Sequence, residues 1–263
     1  MSNHKALEMF GRSGNPSLNA QTFSNSVKDA TFSTQAPTAT MTLEGTVNKT
    51  GILLALVVIS AFYTWSQFFS TGNPATVMPL AMGGAIVGFI LALVTIFKKQ
   101  WSGTTAPLYA IAEGLFLGAI SAIFEAQYPG IVIQAVGLTL GTLASLLFLY
   151  KTGIVKPTEN FRLMVTSATM GIAILYLVSM LMNMFGSGGI DFIHSNGLFG
   201  IGFSLFVVAI AALNLVLDFD FIEQGSEMGA PKYMEWFGAF SLMVTLIWLY
   251  LEMLRLLAKL RSR

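Results

Sequence analysis

The stretch LNLVLDFDFIEQGSEMGAPKYMEWFGAFSLMVTLIWLYLEMLR, residues 213–255, decides the fold. An apolar run ends in Asp218 and Asp220. An acidic segment follows, and then a second apolar run that carries Glu252 ahead of Arg255. If both runs are membrane helices, carboxylates at their margins are costly to hold there and mark functional positions. The residues on either side show that this condition is met.

Of the 263 residues, 54% are hydrophobic and 10% charged, and the mean hydropathy is +0.70. Soluble domains carry about 25% charged residues, so this is the composition of a membrane protein. A formal net charge of +1 argues against a nucleic-acid partner. The absence of cysteine excludes a disulfide framework, a thiolate metal site and a cysteine nucleophile. His4 and His194 fall in a polar tail and a loop, so no histidine metal cluster is expected. With no nucleophile–histidine pair in the apolar region, neither enzymatic activity nor a resident cofactor is expected.

Residues 1–46 are rich in Ser, Thr, Asn, Ala and Gln and contain no apolar block. Such a segment is expected to be a disordered cytosolic tail. It is not a secretory signal, because no basic start followed by a hydrophobic region precedes Met41. From Gly51 onward seven apolar runs follow, at 51–69, 75–97, 104–124, 130–150, 163–185, 197–217 and 236–257. At about 1.5 Å per residue, each can cross a hydrocarbon core about 30 Å thick. The runs are uniformly apolar rather than alternating, which predicts helices and not a barrel. The expected fold class is therefore all-α, a seven-helix transmembrane domain over 47–263.

Lys and Arg positions set the expected orientation. Lys5, Arg12, Lys28 and Lys49 precede the first run; Lys98 and Lys99 follow the second; Lys151, Lys156 and Arg162 follow the fourth; Lys232 follows the sixth. The loops after the first, third and fifth runs have none, so the N-terminus and the even loops are expected in the cytoplasm. Arg255, Lys259, Arg261 and Arg263 disagree, since seven spans place them outside. Either the bias is broken at the C-terminus or the last segment re-enters; seven full spans are favoured by the length of 236–257.

Gly84/Gly88, Gly114/Gly118 and Gly137/Gly141 each put two glycines on one helix face, a pattern that predicts close packing of the second, third and fourth helices. Gly114-Leu115-Phe116 with Ser121 also matches Gly197-Leu198-Phe199 with Ser204 at the same spacing. A shift of three helices inverts direction across a membrane, so the match raises an inverted three-plus-three repeat with the seventh helix as an additional element.

Among the ionisable groups, Glu113 lies about 14 Å along the third helix, and Asp218 lies about 10 Å deep if the sixth helix runs on to a stop at Gly225. The two are thus expected at comparable depths. Asp220, Glu223, Glu227 and Glu235 read as a solvated acidic loop that attracts cations to the mouth of a pathway. Glu252, about 24 Å along the last helix, reads as an interfacial partner of Arg255 one turn on. Glu113 and Asp218, as a pair of intramembrane carboxylates, would titrate as one unit near neutral pH. With both ionised they offer hard oxygens suited to transient Ca²⁺ binding. Sharing a proton, they bond to each other and close the path.

At these residues the chain resembles the Bax inhibitor-1 family, in its bacterial YccA-like branch. The signs are Met41-Thr42-Leu43-Glu44-Gly45, AEGLFLGAIS at 112–121, LVLDFDFI at 215–222 and LYLEMLRLL at 249–257. The resemblance implies seven helices with the last one central, a bacterial inner-membrane location and a proton-sensitive Ca²⁺ leak. It also implies, for some relatives, a link to a membrane quality-control protease as partner, and for eukaryotic ones suppression of cell death. The family's sixth-helix aspartate corresponds to Asp218. Leu249-Tyr250-Leu251-Glu252 looks like the family's second-carboxylate box, but that box stands about ten residues before a Leu-Leu-Arg ending. Here Met253-Leu254-Arg255 is that ending, so Thr245 occupies the second-carboxylate position and Glu113 is expected to substitute for it. The arginine expected in the second helix is absent, because 75–97 holds no charge.

The sequence thus leads to a lipid-embedded, pH-sensitive passive Ca²⁺ leak gated by Asp218 with Glu113, and with Asp220 beside them. The alternatives are a non-transporting modulator of a membrane protease or stress response, and a proton-coupled transporter.

Overall fold

All seven apolar runs are α-helices in the computed structural model, which describes residues 40–186, 190 and 195–262. They are α1 (Leu43–Thr71), α2 (Pro74–Phe97), α3 (Ser102–Gln127), α4 (Ile131–Lys151), α5 (Glu159–Met184), α6 (Leu198–Glu227) and α7 (Met234–Arg261). Each is long and apolar enough to cross a membrane. Residues 1–39 of the disordered tail expected over 1–46, with His194 and Arg263, lie outside the described residues.

Capping chemistry, not hydropathy, sets the helix ends. α1 starts at Leu43 rather than 51, so the expected tail boundary at 46 is moved back. Thr42 caps it, its hydroxyl accepting from Gly45 N at 3.0 Å, and Glu44 favours the positive end of the helix dipole. α1 ends where Gly72 turns left-handed at φ 63°, and Asn73 with Pro74 starts α2 at once. The Glu125 carboxylate accepts from Gly130 N at 2.5 Å and Val132 N at 3.1 Å, supplying partners to the first amides of α4. α6 does not stop at 217. It continues through Asp218, Asp220, Glu223 and Glu227 until Gly229, at φ 68°, breaks it. The acidic residues expected in a solvated loop are therefore all on helices, Asp220, Glu223 and Glu227 on α6 and Glu235 in the first turn of α7.

Large apolar side chains such as Ile59, Phe62, Phe89, Ile133 and Phe148 are exposed. In water such a surface would aggregate; against lipid it is the expected outer face. Of the seven spans α7 is the most covered, with 78% of its apolar window buried against 17% for α4.

The chain divides into two compact units. The first comprises 40–132 with Ile222–Val244, that is α1 to α3, the end of α6 and the first turns of α7. Glycines shape it. A Cβ on Gly114 would lie 2.5 Å from the Val57 carbonyl of α1, one on Gly118 would lie 2.7 Å from Ala61 Cα, and one on Gly84 would lie 2.5 Å from the Ala112 carbonyl of α3. These helices meet backbone to backbone, which only glycine permits. Gly137 and Gly141 have nothing among the described residues within 4 Å of such a Cβ, so the close approach expected at the third glycine pair is not made by them. In the same unit Thr40 bridges Pro231, Met41 N donates to Ala230 O at 2.7 Å, and Met41 is buried.

The second unit comprises Ile133–Phe221 with residues 245–262: nearly all of α4, all of α5, α6 to Phe221, and α7 from Thr245. Its apolar centre is Ile172 of α5 with Val207 and Ile210 of α6, against which Tyr176, Phe203 and Trp248 pack.

Candidate functional site

Asp218 sits in the second unit with no exposed surface, on a helix whose neighbouring residues Leu215, Val216 and Leu217 are also fully buried. Thr245 of α7 donates its hydroxyl to Asp218 Oδ2 at 2.5 Å. The residue singled out by the Met-Leu-Arg register is thus the one that meets the aspartate. A carboxylate in this setting requires hydrogen-bond donors to be tolerated, and a hydroxyl serves either protonation state, donating to a carboxylate or accepting from a carboxylic acid.

One turn earlier on α6, Asn214 donates to Thr169 Oγ1 of α5 at 2.8 Å and to Ile210 O at 2.9 Å. Its Oδ1 is buried without a hydrogen-bond partner among the described residues, as is Oγ1 of Thr166. Asp220 is not in a solvated loop. Arg162 at the start of α5 donates to its Oδ2 at 2.5 Å, and both side chains are 13% exposed. Arg162 had counted only as a loop charge.

Glu252 and Arg255 do pair, at 2.7 Å, and Glu252 is buried, 1% exposed. Tyr176 of α5 donates to the same Oε1 at 3.0 Å and accepts from Arg255 at 2.8 Å, closing a triangle. Glu252 Oε2 is buried without a partner among the described residues. Lys259, one further heptad along α7, is also buried, its ammonium donating to Gly200 O at 3.0 Å and Ser204 Oγ at 2.8 Å.

Glu113 belongs to the first unit, Asp218 to the second, and each has its own partner. Glu113 is half-buried, hydrogen-bonded to Tyr109 one turn before it, and borders Gly88 of α2, where a Cβ would approach Oε1 to 3.3 Å. Tyr109 packs edge-on against Phe240, ring centres 4.9 Å apart. Glu235, also in the first unit, is fully buried and encircled. Lys49 and Lys232 pair with it, and Thr42 donates both its N–H and its hydroxyl at 2.9 Å. That arrangement ties the start of α1 to the start of α7.

Among the described residues no group of three or more Asp, Glu or His side chains gathers as a metal centre. Sequence reasoning missed Tyr176, Arg162, Asn214 and Lys259 as neighbours of the carboxylates. Only Asn214 carried a signal, standing one turn from Asp218 in an otherwise apolar run.

The chain belongs to the family described as Bax inhibitor 1 like, whose model matches residues 15–262. No curated protein and no solved structure matches it.

Proposed function

We propose that this Bax inhibitor 1 like protein is a passive, pH-sensitive leak for Ca²⁺, with Asp218 as its gating carboxylate. The observation that supports the reading most is a fully buried aspartate in a membrane-length helix, met by the Thr245 hydroxyl at 2.5 Å. Ionised, Asp218 offers a hard oxygen of the kind Ca²⁺ prefers, with the Thr245 oxygen beside it. Protonated, it becomes a donor to the same hydroxyl, loses its charge and no longer attracts a cation. A proton and a cation thus compete for one group.

Asp220 with Arg162 holds the neighbouring turn of α6 to α5 and fixes the direction in which Asp218 points. Glu113, with Tyr109, is a separate titratable group of the first unit and a second contributor to the pH response. We place the N-terminus in the cytoplasm of a bacterial cell, with the protein in its inner membrane, on the Lys and Arg distribution and the YccA-like motifs.

Reconstitution in liposomes with an internal Ca²⁺ dye tests the reading. Asp218→Asn is expected to abolish the pH dependence of Ca²⁺ flux, and Glu113→Gln to weaken it. Unchanged flux and pH dependence in both variants would sink the proposal.

A further inference from the structure

The second unit holds more polar chemistry than a single gating aspartate needs. On α5 the order is Thr169, Ile172, Tyr176; on α7 it is Thr245, Trp248, Glu252. In both, a polar residue is followed three positions later by an apolar one and four positions after that by another polar one. All three therefore lie on one helix face. On α6 the same layers run in the opposite direction, with Asp218 and Asn214, then Ile210 and Val207, then Ser204. The contacts match the pattern. Asp218 meets Thr245, and Asn214 meets Thr169. Ile172, Val207 and Ile210 cluster with Trp248, Glu252 meets Tyr176, and Ser204 meets Lys259. The unit is layered polar, dry and polar again, with Thr245 and Glu252 about 10 Å apart along α7.

Buried polar atoms without partners are uncommon. Among the described residues of the second unit there are four, on both sides of the dry layer: Arg162 Nε, Thr166 Oγ1 and Asn214 Oδ1 on the Asp218 side, and Glu252 Oε2 on the other. Atoms of this kind bind water where it can reach them. We propose that the second unit contains a gated proton path in which Glu252 is the station beyond Asp218, and the Ile172, Val207, Ile210 and Trp248 layer is its gate. The inference rests on the reading of Asp218 as a titratable group, but not on Ca²⁺ passage.

The charges around the second station select the proton. Arg255 of α7 is bonded to Glu252, and Lys259 lies within electrostatic reach of both. Tyr176 faces Glu252 from α5, and α4 contributes Gln134, which accepts from Arg261 at 2.9 Å. At the Asp218 end the charged neighbours are Arg162 and Asp220, with Tyr150 of α4 packed on Phe219. A divalent cation entering past Arg255 and Lys259 meets two positive charges at close range. A proton needs only a chain of hydrogen-bonding groups. It binds Glu252 Oε2 and loosens the ion pair with Arg255. When the dry layer wets, as hydrophobic constrictions do on opening, it passes through water to the Asp218 carboxylate. Glu252 is left ionised and pairs with Arg255 again, and no electrons are transferred.

The test uses the full chain in liposomes with a trapped pH dye, and a potassium potential set by valinomycin. Ile210→Ser and, separately, Ile172→Ser are expected to wet the gate and raise proton flux severalfold over wild type. Adding Glu252→Gln should lower the raised flux by about tenfold or more, and Glu252→Asp, which keeps the carboxyl, should restore it. The proposal is overturned if folded, monodisperse serine variants conduct no faster than wild type, or if Glu252→Gln leaves the raised flux unchanged. If neither serine variant folds, the flux of Glu252→Gln against Glu252→Asp in the wild-type background decides, equal fluxes overturning the proposal. Ca²⁺ flux is followed in the same preparations. Glu252-dependent proton flux without Ca²⁺ flux sinks the leak reading and keeps this one. Ca²⁺ flux that depends on Asp218 with proton flux indifferent to Glu252 does the reverse.

Discussion

The two units hold their helices together by opposite means. In the first, Gly84, Gly114 and Gly118 bring α1, α2 and α3 into backbone contact, so the interface is dry and admits no added atom. In the second, α5, α6 and α7 meet through Asn214–Thr169, Asp218–Thr245 and Glu252–Tyr176, with a dry layer between. Backbone contact stabilises by dispersion and has one arrangement. Polar pairs in lipid tolerate exchange of a proton or a water and so have more than one. The comparison teaches that the first unit is joined by backbone packing and the second by buried polar pairs.

The largest expected effect tests the scaffold. Gly118→Leu drives a side chain into the backbone at Ala61, a mismatch beyond the roughly 1–3 kcal/mol of ordinary overpacking. It should abolish the monodisperse peak in size-exclusion chromatography, and a normal peak with an unchanged thermal midpoint would break the contrast.

Next comes the Glu235 cluster of the first unit. Glu235→Ala removes a fully buried carboxylate and leaves Lys49, 17% exposed, and Lys232, half exposed, without their counter-charge. Removing one partner of a buried pair costs about 3–5 kcal/mol, and Lys232, half exposed, puts the expected loss at the lower end. Thermal unfolding monitored by tryptophan fluorescence should show it at every ionic strength, since buried pairs are weakly screened.

In the second unit Thr245→Val removes one hydrogen bond to a carboxylate, about 1.5–3 kcal/mol. Its signature should be functional as well as thermal, with the pH midpoint of Ca²⁺ flux displaced while the fold is kept. A displaced thermal midpoint with an unmoved pH midpoint would return Thr245 to a packing role. The smallest effect belongs to Gly137→Leu. Its Cβ meets nothing, and stability should stay within about 0.5 kcal/mol of wild type.

Hydropathy made the seven spans legible, because burial in lipid is a property of a window of residues. The helix ends were not legible in this way. Leu43 to Lys49 and Asp218 to Glu227 are polar enough to look like tail and loop, and become helix through Thr42 at one end and Gly229 at the other. Thr245 was recoverable from its distance to the Met-Leu-Arg ending, since spacing along one helix survives folding. Tyr176 was not: its bond to Glu252 depends on how two helices rotate against each other, which no spacing within one run records. The third glycine pair fails similarly, because the pattern shows which face could approach but not what it approaches.

The bridge from Thr40 to Pro231, with Met41 sealed beneath it, has a practical meaning for anyone wishing to watch this molecule work. It makes position 40 a dial on the α6–α7 turn. With no native cysteine to compete, a thiol-linked fluorophore at that single residue labels one site only. Quenching by Trp236, on the first turn of α7, then follows the start of that helix in real time while pH is changed.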